Sequence, residues 1–292
     1  MRVNRKKIFL SLVFNVTGIS YIFSLLQRFL FGSDVIRAVN YHSIPFETKE
    51  IFRKHLIYFS KYYTSVKEHD LEMFFKTGKW HKKKPGLILS FDDGIKDNFD
   101  IAYPLLEEYG FTGWFFVPTD FVNTAVNEQL DFAKNKQIAV KMDLKMDLKM
   151  DRVALNWDEI NILAKNHVVG SHTRSHYRME ETADNEKLKY EIVQSKNILE
   201  EKIGKEVVSF CWVGGEEHTY TKKAFQLIKA SDYKFGFMTN TSLILKNTSP
   251  FLLDRTNLNS DWPLYLIRFQ LCGILDLLYR KKRKRVHKYL VG

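Results

Sequence analysis

The chain has 292 residues, 45% hydrophobic and 27% charged, a globular composition that excludes wholesale disorder. Two cysteines, Cys211 and Cys272, are too few for a disulfide framework. The charge of +11 sits at the ends: residues 1–7 carry four cations and no acid, 280–292 carry seven and none, and the rest balances. A neutral body argues against a nucleic-acid partner, and cations beside apolar stretches suggest an anionic membrane surface.

Ile8 to Leu26 is a run of 19 uncharged residues. A membrane span needs ~20 apolar residues, but Ser11, Asn15, Thr17, Ser20 and Ser24 dilute this run. It reads either as a helix lying on a membrane or on the domain, or as a signal anchor with its basic N-terminus cytoplasmic. A cleaved signal peptide is disfavoured, because no small-x-small site follows. The expected location is membrane-associated or cell-envelope rather than freely soluble cytoplasm.

From about Val35, short apolar β-rich runs alternate with amphipathic stretches. The runs are 35–42, 86–93, 112–119, 167–172, 207–213 and 233–239; the stretches between them include 98–110, 157–166, 188–204 and 221–231. Continuous apolar strands separated by helices predict parallel strands buried on both faces, in a barrel or a doubly wound sheet. Either architecture puts polar site residues at the C-terminal strand ends. Residues 141–151, KMDLKMDLKMD, repeat every four residues and read as a loop expansion without a catalytic role. Towards the end, Leu264, Ile267, Leu271, Ile274, Leu275 and Leu278 share one helical face, and the basic run follows. That is either a last domain helix with a solvated tail or a basic amphipathic membrane contact. The expected division is an N-terminal segment over 1–33, a domain over 34–262, and an amphipathic helix with basic tail over 263–292.

Two strand ends carry chemistry. The run 86–93 ends in Asp92 and Asp93, followed by Gly94. Strand side chains alternate, so one carboxylate can bind a metal while the other stays free as a base; an Asp-Asp-Gly loop that caps a helix is the plainer reading. The run 167–172 continues into His172-Thr173-Arg174-Ser175-His176. If that loop makes a helical turn, the two imidazoles share a face at a metal-binding spacing. One carboxylate and two imidazoles leave open positions, as catalytic zinc requires.

Ser90-Phe91-Asp92-Asp93-Gly94 resembles the Ser/Thr-Phe-Asp-Asp-Gly motif of the NodB-type polysaccharide deacetylases, carbohydrate esterase family 4. His172 to His176 resembles that family's His-Ser/Thr-x-x-His motif, about 80 residues on, and Asn156-Trp157-Asp158-Glu159 is similar to the segment that precedes it. The likeness covers roughly residues 35–260. It implies a distorted (β/α)7 barrel, with Asp93, His172 and His176 as metal ligands and Asp92 as catalytic base.

Other parts depart from the family pattern. The third motif reads Phe210-Cys211-Trp212-Val213-Gly214-Gly215, without the usual arginine and prolines. In a subgroup that this version resembles, the arginine that contacts the base comes from a later strand, and Arg255 is the candidate. The C-terminal Leu-x-His motif is absent, and His287 in the basic tail is a poor substitute. Tyr41-His42 resembles the start of circularly permuted members, including poly-N-acetylglucosamine deacetylases, which makes His42 the expected catalytic acid. Trp212 is a candidate for stacking on a sugar ring, with core packing as the alternative.

The resemblance implies a hydrolase of linear amides that removes N-acetyl groups from amino sugars of a surface polysaccharide or glycan precursor. The cofactor is a divalent metal, zinc by default, with Co2+, Ni2+ or Mn2+ as alternatives. The rival readings are a deacylase of another small amide on a lipid-linked sugar, and a glycan-binding pseudoenzyme.

Overall fold

The computed structural model describes residues 5–140 and 152–292, so the repeat at 141–151 lies outside the described residues. The strands are β1 (Ile36–Tyr41), β2 (Thr64–Ser65), β3 (Gly86–Phe91), β4 (Gly113–Val117), β5 (Val168–Ser171), β6 (Ser209–Cys211), β7 (Phe235–Met238), β8 (Leu243–Ile244) and β9 (Leu253–Asn257). Seven of them form a closed parallel ring in the order β1, β3, β4, β5, β6, β7, β9 and back to β1. The two-residue strands β2 and β8 are additions beside β3 and β1. This is the (β/α)7 barrel that the motif resemblance implies.

The helices are α1 (Arg5–Val16), α2 (Ile19–Phe31), α3 (Lys49–Tyr62), α4 (Glu68–Thr77), α5 (Tyr103–Tyr109), α6 (Thr119–Asn123), α7 (Gln129–Lys136), α8 (Trp157–Asn166), α9 (Asn185–Ile203) and α10 (Lys222–Ala230). They are followed by α11 (Leu264–Leu271), α12 (Ile274–Leu278) and α13 (Arg280–Val291). Local sequence explains the sharp boundaries. Asn156 caps α8 by accepting from the Glu159 amide at 2.9 Å, and Glu159 accepts from the Asn156 amide in return.

Alternation along the strands builds two cores. Ile36 and Ala38 of β1, Ile88 of β3, Trp114 and Phe116 of β4 and Leu253 of β9 belong to the cluster that fills the barrel. Val39, Tyr41, Leu87, Leu89 and Phe91 belong to the outer cluster, under the helices. The two-residue period therefore turns Asn40, Ser90, Asp92 and Arg255 inward at the C-terminal end.

Three features differ from the sequence expectations. The strand that closes the ring, β9, was not among the six apolar runs, because Asp254 and Arg255 interrupt its hydrophobicity. The single helical face over 264–278 is broken: α11 stops at Leu271, and Gly273, at φ 98°, turns the chain into α12. The basic tail is a helix docked on the domain, with Val286 and Leu290 buried in the outer core.

Candidate active site

Asp92 and Asp93 follow β3 directly. The Asp92 amide bonds the Tyr41 carbonyl at 3.0 Å, so the strand register continues one residue past β3. Asp93 (φ 76°) and Gly94 (φ 64°) then take left-handed conformations, which short polar residues and glycine tolerate best. The reversal separates the two carboxylates. Asp92 keeps pointing into the barrel, and Asp93 swings towards the loop after β5.

That loop holds His172 and His176, and it is not helical. Thr173 (φ 64°) and His176 (φ 55°) are both left-handed, and this irregular turn brings the two imidazoles together. Their ring centroids are 5.2 Å apart. His172 Nε2 lies 3.4 Å and His176 Nε2 3.0 Å from Asp93 Oδ1. All three side chains are buried.

The outer nitrogens explain why the inner ones are available. His172 Nδ1 sits 3.0 Å from the Cys211 carbonyl, and His176 Nδ1 sits 2.7 Å from the Lys136 carbonyl. A carbonyl only accepts, so each Nδ1 carries a proton and Nε2 is the ring atom turned towards Asp93. Asp93 Oδ1 is buried without a hydrogen-bond donor. With both Nε2 atoms unprotonated, as metal binding requires, three acceptors converge on one point and a cation is what reconciles them. The donor set therefore fits a divalent metal, with one carboxylate and two imidazoles facing a common point.

Asp92 has a different environment. Arg255 of β9 donates from Nη1 to Asp92 Oδ1 at 2.6 Å and from Nη2 to Oδ2 at 2.8 Å. Asn40 Nδ2 adds a contact to Oδ2 at 3.3 Å, and Ser90 Oγ accepts from Arg255 Nη1 at 2.9 Å. Burial alone would push both carboxyls up. At Asp92 the Arg255 guanidinium, with His172 and His42, outweighs burial and holds the carboxyl below its usual range. At Asp93, His176, His42 and His172 do the same more strongly.

Asp92, His172 and Cys211 form a second cluster of ligating atoms. The Arg255 guanidinium covers both Asp92 oxygens and lies 2.8 Å from Cys211 Sγ, so a second cation has no room there. Burial also pushes the Cys211 thiol well up.

His42 is half-buried just past β1, and the register of Tyr41 with Phe91 puts it at the same barrel end as Asp92. Its carbonyl accepts from Asn98 Nδ2 at 2.7 Å. His287 is on the other side of β9, 3.0 Å from the Asp254 carboxylate, facing away from Arg255 and Asp92. Trp212 must be corrected. It is 1% exposed and packs edge-to-face on Phe210 and Tyr220, so no ring face is open to a sugar. Its amide bonds the Phe237 carbonyl at 3.1 Å and offers nothing to a substrate oxygen.

One residue went unnoticed in the sequence. Glu191 of α9 is fully buried, and its carboxylate accepts from the Arg174 amide (3.1 Å), the Ser175 amide (2.8 Å) and Ser175 Oγ (2.6 Å). Lys187 balances its charge at 2.7 Å. Glu191 thus holds the middle of the histidine loop. A readable signal existed, since it shares the buried stripe of α9 with Leu188, Ile192, Ser195 and Leu199.

A polysaccharide deacetylase family model matches residues 79–236, more than half of the chain. The chain belongs to the polysaccharide deacetylase family. It is accordingly a hydrolase of carbon–nitrogen bonds in linear amides, and the family implies an acetylated glycan as substrate. No curated protein matches the chain. Among solved structures, the fold is similar to that of the Streptococcus pyogenes deacetylase PplD, solved in complex with acetate. The identity is 18% and the TM-score 0.63, over 81% of this chain and 98% of that one. A de-N-acetylase from Aggregatibacter actinomycetemcomitans is similar at 17% identity and TM-score 0.63, over 82% of this chain and 100% of that one. IcaB from Ammonifex degensii is similar at 14% identity and TM-score 0.56, over 82% and 97%. At these identities the three likenesses speak for the family's fold.

Proposed function

We propose that the protein is a metal-dependent deacetylase that removes N-acetyl groups from amino sugars of a surface polysaccharide or its precursor. The observation that carries this reading is the convergence of Asp93, His172 and His176, with both Nδ1 atoms tied to backbone carbonyls. These three would hold the cation through one carboxylate oxygen and two Nε2 atoms, a set that suits zinc, cobalt or nickel over calcium or magnesium. A divalent cation, when bound, supplies Lewis acidity to an acyl carbonyl and makes water a better nucleophile near neutral pH.

The remaining steps belong to the chain's own residues. Asp92 accepts the proton of the attacking water. Arg255 keeps that carboxylate ionised and fixes its plane, at the expense of some basicity. The Val213 amide, past the end of β6, donates to the oxygen that gains charge. His42 protonates the departing amine, whose release otherwise requires an unstable amide anion. The buried Asp92–Arg255 pair beside the ligand trio also argues against a glycan-binding pseudoenzyme, because a binder needs no ionised buried base.

The test combines metal analysis of the purified full chain with acetate release from N-acetylglucosamine oligomers. Asp92→Asn is nearly isosteric; it should keep the metal and lose ~10²–10⁴ in turnover. Wild-type turnover in that variant would move the base elsewhere. A metal-loaded wild type that releases no acetate from any N-acetylated glycan would sink the activity.

A further inference from the structure

The N-terminal helices reverse the usual amphipathic order. Ser24 and Arg28 are exposed, but four other polar residues turn towards the domain: Ser11 is 0% exposed and Ser20 is 4% exposed. Asn15 Nδ2 donates to the Tyr265 carbonyl at 2.7 Å, and Gln27 Nε2 reaches Asp276 at 3.2 Å. Phe14 packs edge-on against Phe269. The apolar residues turn outward: Phe9 is 66% exposed, Val16 80%, Tyr21 68%, Phe29 87% and Leu30 69%. A water-facing helix pair would be built the other way round. Leu278 of α12, two residues after the Asp276 that Gln27 contacts, adds an exposed apolar side chain at 69%.

Cations follow at once. Arg280 and Lys281 come directly after the exposed Leu277, Leu278 and Tyr279, and Lys284 and Lys288 lie further along α13. These four have no acidic partner among the described residues. The helix that carries them is fixed to the domain, by Arg283 on the Asp276 carbonyl (2.6 Å) and by His287 on Asp254 (3.0 Å).

We propose that α1, α2 and α12 form an in-plane docking surface for an anionic lipid bilayer, with the free cations of α13 on the headgroups. Charge decides between a bilayer and a second copy of the chain. A two-fold contact pairs this patch with itself, so it adds a second set of Arg280 and Lys281 and no excess of acid, whereas anionic headgroups neutralise them. Geometry decides between lying in the plane and crossing. Among the described residues no single helix is long and apolar enough to cross a membrane; Lys7–Val16 and Ile19–Phe31 pass that test only together, and they are bent by 77°. Both are also tied along α11 and α12, so a crossing would strip them from the domain.

The experiment is sedimentation of the full chain, carrying an N-terminal epitope, with vesicles of phosphatidylcholine alone or with about one-third phosphatidylglycerol. Binding should be at least ~10-fold tighter to the anionic vesicles and should weaken in high salt. Phe29→Glu with Leu30→Glu should abolish binding to both. Lys281→Glu with Lys284→Glu should remove only the anionic preference. Asp92→Asn should bind like wild type, which separates this surface from the deacetylase reading. Three results would overturn the proposal: a chain that stays in the supernatant with anionic vesicles, a lipid-free dimer that Phe29→Glu dissociates, or an epitope shielded from external protease while the barrel is cut.

Discussion

Arg255 lies on Asp92 with two near-parallel bonds of 2.6 and 2.8 Å, reaching from β9 past β1 to the end of β3. Both side chains are buried, so each charge depends on the other to compensate its lost hydration. Arg255→Ala should leave an uncompensated carboxylate and cost ~3–5 kcal/mol of stability at neutral pH. Adding Asp92→Asn should recover part of that loss. Chemical denaturation of the three variants measures it, and strictly additive losses would mean that the pair is not coupled.

The ligand trio predicts a specific pattern of metal loss. His176→Ala removes one of the three proposed ligands and should sharply lower the metal content of the purified chain. A chelator should inactivate the wild type, and zinc should restore it. Undiminished zinc in His176→Ala would break the assignment.

Glu191 should act on the metal without touching it. Its carboxylate holds Arg174 and Ser175, between the two histidines. Outer partners of this kind typically contribute 10–100-fold to metal affinity, so Glu191→Ala should lose about that much and Glu191→Gln, which keeps one acceptor oxygen, less. Competition with a chromogenic chelator reads the difference directly. Equal affinity in all three proteins would reduce Glu191 to a helix-packing role.

His42 should matter only where the leaving group needs a proton. His42→Ala should keep the fold and the metal, depress amide turnover, and affect an activated acetate ester much less. Equal losses on both substrates would assign His42 another role, and no loss on the amide would remove it from the reaction.

Asp97 gives a pH signature independent of catalysis. Burial pushes its carboxyl up to about 6, even though Ser43, the Ile44 amide and Asn98 all donate to it. An acid raised on folding stabilises the protein at low pH and loses that contribution as pH rises. The loss begins near ~4, where the unfolded chain ionises, and is complete above about 6. At ~1.4 kcal/mol per pKa unit, the loss is about 3 kcal/mol. Asp97→Asn should therefore raise the melting temperature at pH 7.5 and leave it unchanged at pH 4. A rise of the same size at both pH values would mean that charge is not the cause.

The sequence by itself determined the parts that depend on local order. Apolar runs of strand length gave six of the seven ring strands, because a parallel strand buried on both faces must be apolar at nearly every position. Asp92, Asp93, His172 and His176 were legible because each pair sits in a short contiguous motif. Tertiary structure decided what depends on residues far apart in the chain. The closing strand β9 was obscured by the polar side chains that it carries into the barrel; the motif resemblance named Arg255, and ring closure is what brings it to Asp92. Burial of Trp212 followed from Tyr220 and Phe210 closing over it, which no local pattern records. The histidine loop met its metal-binding expectation of proximity by another route, through two left-handed residues in place of a helical turn, because the carboxylate of Glu191 on a neighbouring helix organises the loop. The outward apolar face of α1 and α2 was likewise decided by packing, since which side of a short apolar helix is covered depends on the partner that it meets, here α11.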